Sequence, residues 1–335
     1  MKRYLTELGE DRIIRGLEKS FAPKNPRVIK GIGDDTSVTA QDGGKLLLST
    51  TDTLIEGTHF DLSYAPPGLL GKKALSISLS DIAAMGGEPL FFLVSIALTP
   101  KTKKEFIDAL YRGIKEISEE FKVALAGGNT ARAGLTMIST TVIGEVPKGK
   151  AVYRSGAREG HAIFVTGTPG DSALGLKVLQ NHGYRAAVKG RFGKAVSRHL
   201  APVPRMEAGS LLAKKGIARS MIDISDGVAL DLKRVCVESN AGAEIYLKDF
   251  PVSAELKEYA ERVKDRSWID LALSGGEDYE LLFTAPEADK KKISRLAERL
   301  KIRITPIGRI TGKGLKILDE NGRPMKLKRL GFEHF

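Results

Sequence analysis

Six aspartates lie beside glycines or inside apolar runs, where they could gather a hard cation. Asp34 and Asp35 follow the glycine turn Gly31-Ile32-Gly33, and Asp52 follows the apolar run Leu46-Leu47-Leu48. Asp81 lies in a stretch of small and apolar residues, and Asp223 and Asp226 flank Ile224-Ser225 ahead of Gly227. Any one of them alone reads as a cap or turn residue, because short polar side chains bond the backbone at such places. Together they need a different explanation. A carboxylate among apolar residues, as at Asp81, is expensive to bury without a cationic partner. Carboxylates clustered without Cys or His favour Mg²⁺ or Mn²⁺. Mg²⁺ takes one or two carboxylates and completes its shell with water and phosphate oxygens, so this many aspartates implies more than one ion, bridging the phosphates of a nucleotide.

The usual phosphate-binding signatures are absent. The chain has no G-x-x-x-x-G-K-[ST] loop and no G-x-G-x-x-G followed by a strand lysine. Gly31/Gly33 and Gly127/Gly128 leave two readings open, a backbone cradle for phosphate or ordinary tight turns. Glu277 and Asp278 likewise read either as an attractor of a positively charged ligand or as caps.

The elements that must position these residues follow from periodicity and punctuation. A helix is expected within residues 1–26 and a strand over Lys45–Thr51, which places Asp52 at its end. A helix over Leu69–Met85 carries Asp81 and stops at Gly86-Gly87. After a strand at Phe91–Leu98, Thr99 and Pro100 read as N-cap and first residue of a helix with the stripe Phe106, Leu110, Ile114, Ile117 and Phe121. Strands at Val123–Ala126 and Leu135–Val146 complete the first half. The second half repeats the mixture: strands near Ala162–Thr166, Ala243–Leu247, Glu280–Ala285 and Arg303–Ile310 alternate with helices. Met221-Ile222 reads as a short apolar turn delivering Asp223. The fold class is therefore α/β (α+β) in two domains, 1–147 and 148–335, divided at the connector Pro147-Lys148-Gly149-Lys150.

Composition bounds the class. With 42% hydrophobic and 28% charged residues the 335-residue chain is of ordinary globular make-up. No apolar run approaches the length of a membrane helix, and Met1-Lys2-Arg3-Tyr4 leads into polar residues rather than a signal peptide, so a cytoplasmic protein is expected. The single Cys236 excludes an intrachain disulfide and a multi-cysteine zinc site. The net charge of +12 suits either polyanionic small molecules or nucleic acid. The basic residues lack the interleaved aromatics of a single-strand platform, which favours the first.

A family resemblance rests on strings that occur in order. They are Gly31-Ile32-Gly33-Asp34-Asp35, Ser49-Thr50-Thr51-Asp52-Thr53, Gly57-Thr58-His59-Phe60 and Ser78-Leu79-Ser80-Asp81-Ile82-Ala83-Ala84-Met85-Gly86 in the first half. Arg154-Ser155-Gly156-Ala157, Thr166-Gly167-Thr168-Pro169-Gly170-Asp171-Ser172, Asp223-Ile224-Ser225-Asp226-Gly227 and Ser274-Gly275-Gly276-Glu277-Asp278-Tyr279-Glu280 follow in the second. In this the chain resembles the thiamine-monophosphate kinase family, of the superfamily that includes aminoimidazole ribotide synthetase and selenophosphate synthetase. The resemblance implies transfer of the ATP γ-phosphoryl directly onto thiamine monophosphate, with several Mg²⁺ ions. It implies metal roles for Asp35, Thr50, Thr51, Asp52, Asp81, Asp223 and Asp226, and nucleotide contacts for Asp35, Gly128, Arg154 and Ser225. It places His59, Glu277 and Phe332 near the thiamine phosphate, and it implies a homodimer paired through its N-terminal sheets, with no nucleic acid or membrane partner. Many relatives carry Gly-Gly-Asp where this chain has Gly127-Gly128-Asn129, so Asn129 is a metal and nucleotide candidate with an amide in place of a charge.

Two competing readings follow. A sister enzyme of the same superfamily would share the ATP chemistry. Selenophosphate synthetase, however, carries a reactive Cys or selenocysteine near its N-terminus, and the hydrogenase-maturation relative a C-terminal cysteine, whereas the cysteine here is Cys236. A basic nucleic-acid-binding protein without catalysis leaves the aspartates unexplained.

Overall fold

The computed structural model describes residues 9–21, 25–264 and 267–334. Two sheets divide the chain. The first, in the order β1-β2-β3-β6-β4-β5, is built from β1 (Val28–Lys30), β2 (Ser37–Ala40), β3 (Lys45–Ile55), β4 (Glu88–Leu98), β5 (Ala124–Arg132) and β6 (Met137–Pro147). Helix α1 (Glu10–Ser20) precedes it, α2 (Pro67–Ala84) joins β3 to β4, and α3 (Lys104–Glu120) joins β4 to β5. The β4–β5 pair is parallel and the other pairs of this sheet are antiparallel.

The second sheet runs β13-β12-β9-β11-β7-β10-β8. Its strands are β7 (Ala162–Thr166), β8 (Ser220–Asp223), β9 (Gly242–Tyr246), β10 (Leu281–Ala285), β11 (Ile304–Thr311), β12 (Leu315–Leu318) and β13 (Pro324–Met325). Helices α4 (Asp171–Lys189), α5 (Gly193–Leu200) and α6 (Met206–Lys214) lie between β7 and β8, and α7 (Val228–Glu238) follows β8. Helices α8 (Ala254–Val263), α9 (Ser267–Ser274) and α10 (Lys290–Leu300) complete the half. Every residue of β7, β8 and β10 is buried, so these strands show no alternation between a buried and an exposed face. Among the described residues no helix is long and apolar enough to cross a membrane.

Helix α2 is central. Thirteen of its 18 residues are buried, and its small side chains let neighbours approach on several sides. A Cβ on Gly71 would fall 2.0 Å from the Leu110 carbonyl oxygen, and one on Gly113 of α3 would fall 1.8 Å from that of Gly68. Only glycine permits this α2–α3 contact. On another side, a Cβ on Gly209 of α6 would lie 2.0 Å from the Ala83 carbonyl oxygen.

Several expectations change. Strand β3 continues past Asp52 to Ile55, because β6 pairs it residue by residue to Ile55↔Met137; Asp52 lies inside the strand, opposite Thr140. Helix α3 starts at Lys104 rather than at Pro100: Thr102 N–H bonds the Thr99 carbonyl in a separate turn, and Lys103 is extended at the cap. Strand β5 runs through Gly127-Gly128-Asn129 instead of stopping at Ala126, carried past a bulge opposite Phe92/Leu93. Gly128 faces β4 so closely that a Cβ would lie 1.9 Å from the Val94 carbonyl oxygen. Met221-Ile222 is strand, paired to β10, not a turn. Of the helix expected in 1–26, the described part is Glu10–Ser20; residues 1–8 and 22–24 lie outside the described residues.

Candidate active site

Three segments far apart in sequence bring three carboxylates together. The loop after Gly33 supplies Asp35, α2 supplies Asp81, and the end of β8 supplies Asp223; one carboxylate oxygen from each lies within 4.8 Å of the others. They line a cleft of about 750 Å³ between the two sheets, with Thr50, Thr51 and Asp52 of β3 and with Arg154, Ser225 and Asp226. Nine of the residues expected at the site therefore share one cavity, within the size range of small-molecule sites.

Local hydrogen bonds aim the carboxylates. Thr50 Oγ1 donates to Asp81 Oδ2. Ser78 Oγ, one turn before Asp81, donates to Asp52 Oδ2 at 2.7 Å. Arg154 Nη2 donates to Asp35 Oδ1 at 2.8 Å, and the Arg154 N–H reaches Asp34 Oδ1 at 3.2 Å. Arg234 Nη1 holds Asp226 Oδ2 at 2.6 Å and Asp231 Oδ1 at 2.7 Å, while the other Asp231 oxygen accepts the N–H groups of Asp226 and Gly227.

The electrostatics are strongly anionic. Burial pushes the Asp81 carboxyl well above the ordinary carboxylate range, and Asp52, Asp223 and Asp35 push it further. Burial does the same to Asp223, followed by Asp35. Asp34 is pushed up to about 7 by burial and by Asp35, against the pull of Arg154. Burial also raises Asp52 despite its bond from Ser78. Asp34 Oδ2, Asp35 Oδ2 and Asp223 Oδ2 are buried with no hydrogen-bond partner among the described residues. Buried, mutually repelling carboxylates with unpaired oxygens fit a hard cation, and they are costly without one.

The acceptor-side candidates form a second constellation beside the first. Glu277 stands at φ 66 with its N–H bonded to the Ser225 carbonyl at 2.7 Å. The His59 and Phe332 rings each lie against His334, at centroid distances of 5.1 and 5.0 Å, and Phe332 N–H bonds the Asp226 carbonyl at 3.0 Å. His59 Nδ1 accepts the Ile55 N–H at 3.1 Å, and its pKa is lowered, first by burial and then by His334, which favours the neutral ring. Asp278 is a cap: it accepts the N–H groups of Gly170 at 2.6 Å and Ser172 at 3.0 Å at the start of α4.

Gly128 and Asn129 are not brought to this cleft. They lie on β5, at the sheet edge three strands from β3, where every residue is exposed. Charged and polar neighbours outside the sequence motifs also appear: Asp231, Arg234, Lys73 and His199. The signal for Asp231 is the one that marks Asp81, a carboxylate inside an apolar helix, here Val228-Ala229-Leu230-Asp231-Leu232.

Comparison with known proteins agrees with this geometry. Residues 33–146 match the AIR synthase related protein N-terminal domain family and residues 158–320 the corresponding C-terminal domain family. The fold and the aspartate cleft thus place the chain in the AIR synthase related class. Within it, the thiamine-monophosphate kinase of Escherichia coli (strain K12) is 38% identical over 307 residues, covering 91% of each chain. That of Buchnera aphidicola subsp. Schizaphis graminum is 35% identical over 331 residues, covering 98% of this chain and 99% of its own. A solved structure of AaThiL complexed with AMPPCP and TMP superposes with a TM-score of 0.86 at 35% identity, covering all of both chains. The chain belongs to the thiamine-monophosphate kinase family.

Proposed function

We propose that this chain phosphorylates thiamine monophosphate with ATP, yielding thiamine diphosphate and ADP. The observation that carries the reading is the convergence of Asp35, Asp81 and Asp223 in one cleft of a chain whose relatives bear that activity in their names. A relative of the same fold holds AMPPCP and TMP together.

Asp35, Asp81 and Asp223, with Thr50, Thr51, Asp52 and Asp226 around them, would hold Mg²⁺. When bound, Mg²⁺ neutralises and orients phosphate oxygens. Arg154 and Ser225 would contact the nucleotide, and His59, Glu277 and Phe332 the acceptor. The bond from the γ-phosphorus to its bridging oxygen breaks, and a new one forms to a phosphate oxygen of the acceptor. That oxygen is already ionised at neutral pH, so no general base is needed. Residues 1–147 form the ATP- and metal-binding, dimer-forming domain, and residues 148–335 complete the site. The cytoplasm suits this chemistry.

The assembly is a homodimer. On the outer face of β4 and on edge strand β5, Phe91, Leu93 and Leu125 are 38%, 39% and 48% exposed, an apolar strip that a second copy would cover. Asn129, outside the cleft of its own chain, would then act from the dimer face.

A direct transfer leaves no phosphoenzyme. Rapid quench with γ-labelled ATP and thiamine monophosphate should give labelled thiamine diphosphate and unlabelled protein, and the labelled product should vanish when Mg²⁺ is chelated. A kinetically competent labelled protein would overturn direct transfer, and absence of labelled thiamine diphosphate the activity itself.

A further inference from the structure

Lysine is among the residues least often fully buried, yet Lys73 of α2 is 3% exposed. Its neighbour Lys72 turns outward and pairs with Glu116 of α3. Lys73 turns inward, across the junction between the two halves, and its Nζ lies 2.6 Å from Glu277 Oε1. The other Glu277 oxygen lies 3.4 Å from His199 Nδ1, which also meets Ser172 Oγ at 3.1 Å. Burial, followed by Lys73, pushes the His199 pKa down to about 3, so this ring is neutral and Lys73 is the cation that matches Glu277. Burial alone would raise the Glu277 carboxyl; Lys73, the charged partner, holds it below its ordinary value.

The pair sits on a rigid ruler. Lys73 and Asp81 are eight residues apart on α2, about 12 Å along the axis at 1.5 Å per residue. The helix between them cannot shift easily. Gly71 is locked against Leu110, Ala74 accepts the Thr140 hydroxyl at 2.7 Å, and Ser78 holds Asp52. One end of α2 therefore addresses the carboxylate cluster and the other addresses Glu277.

We propose that Lys73 is a positioning residue for the acceptor: by pinning the Glu277 carboxylate to α2, it fixes the distance between the acceptor and the metal-binding carboxylates. The inference rests on the reading of Glu277 as an acceptor contact. It also means that the Glu277 charge is already balanced by Lys73, so Glu277 orients the acceptor rather than drawing it in by net charge.

The test is a double-mutant cycle on the full-length protein with Lys73→Met, Glu277→Gln and the combined variant. The readouts are KM for thiamine monophosphate and for ATP, and calorimetric binding of thiamine monophosphate with AMPPCP present. Lys73→Met should raise KM and Kd for thiamine monophosphate on the order of tenfold to a hundredfold, the scale of a misplaced positioning contact. KM for ATP should change less than about twofold, since the carboxylate cluster is untouched. In the Glu277→Gln background, Lys73→Met should add nothing further, because residues acting as a unit are not additive. Lys73→Met alone leaves a buried charge unpaired and could fold poorly; the combined variant carries neither charge and keeps the comparison readable. Additive effects, or a variant with lowered Tm and unchanged thiamine monophosphate binding, would overturn the proposal while leaving the activity intact. A wild-type protein that neither binds nor phosphorylates thiamine monophosphate would overturn the activity, and this inference with it.

Discussion

Asp81 shows what a functional carboxylate costs at the scale of a single residue. Burial and three neighbouring aspartates disfavour its charge, and the bond that Thr50 donates to it does not balance them. Such strain is kept where function needs it. Asp81→Asn preserves shape and removes one of the repelling charges, so the metal-free variant should melt above the wild type while losing most phosphoryl transfer. Asp52→Asn should behave alike, with Ser78 still bonded to the amide oxygen. Thermal melts in chelator and in Mg²⁺ check this: Mg²⁺ should raise the wild-type Tm by linkage and raise that of Asp81→Asn far less. Near wild-type turnover at limiting Mg²⁺ would make either residue a structural cap. These aspartates are legible in the sequence because their apolar surroundings make a charge conspicuous. Lys73 is not, because it follows another lysine and only its phase on the helix distinguishes it: Leu70, Lys73, Ala74 and Ile77 share the buried side. His199 finds Glu277 through a tertiary contact that no local pattern announces, whereas Arg234 pairs with Asp231 three residues earlier on its own helix.

Elements are joined by buried ion pairs as well as by apolar packing. Glu280, at the start of β10 and 2% exposed, accepts Arg205 Nε at 2.6 Å, Arg198 Nη1 at 3.2 Å and Thr166 Oγ1 at 2.5 Å. It thus ties β10 to β7, to α5 and to the segment before α6. Burial alone would raise its pKa, but Arg205, Thr166 and Arg198 together outweigh burial and the net shift is downward from 4.5. A depressed carboxyl contributes stability that is fully present above its unfolded pKa and is lost as pH falls through the folded value. Arg205→Met leaves a buried carboxylate short of its main partner, and should cost about 3–5 kcal/mol at neutral pH. The gap from wild type should narrow as pH falls from 4.5 toward the depressed folded value, below which Glu280 is neutral in both proteins. Urea unfolding at pH 7 and in the acid range reads this directly, and a pH-independent gap would mean that Arg205 acts by packing alone. Most elements were legible from periodicity, because their apolar faces match their final burial. The errors fell where long-range pairing overrides local signals. The partner β6 extends β3 through Asp52, and β4 draws Gly127-Gly128-Asn129 into a strand that its glycines do not suggest.

At the scale of the whole molecule, the first sheet leaves one edge unfinished. Strand β5 is exposed along its length, although an edge bearing apolar side chains is a hazard for a protein that stays alone. Phe91 and Leu93 project from the neighbouring β4, and a dimer would bury them with Leu125. Placing charges there with Phe91→Glu and Leu93→Glu should convert the proposed dimer to monomer in sedimentation analysis, while the core of each copy stays folded. An unchanged sedimentation coefficient would overturn pairing through this strip.

Asn129 gives the same surface a chemical readout. Its amide offers an oxygen to Mg²⁺ but no net charge, so a carboxylate there should bind the ion more strongly. Within one chain Asn129 lies opposite Ser95, on the far side of β6 and β4 from Asp52. It can touch a metal only if assembly carries the β5 edge to a cleft. Asn129→Asp should therefore lower the Mg²⁺ concentration for half-maximal rate in the dimer. With scarce Mg²⁺ the added charge near ATP phosphates opposes that gain, and at saturating Mg²⁺ ATP affinity should hardly change. The competing account keeps Asn129 as a strand residue shaped by the bulge before it, and there the two Mg²⁺ titrations would superimpose. A shift in the Mg²⁺ curve that disappears when Phe91→Glu and Leu93→Glu are added would tie the metal contact to the assembly rather than to the chain.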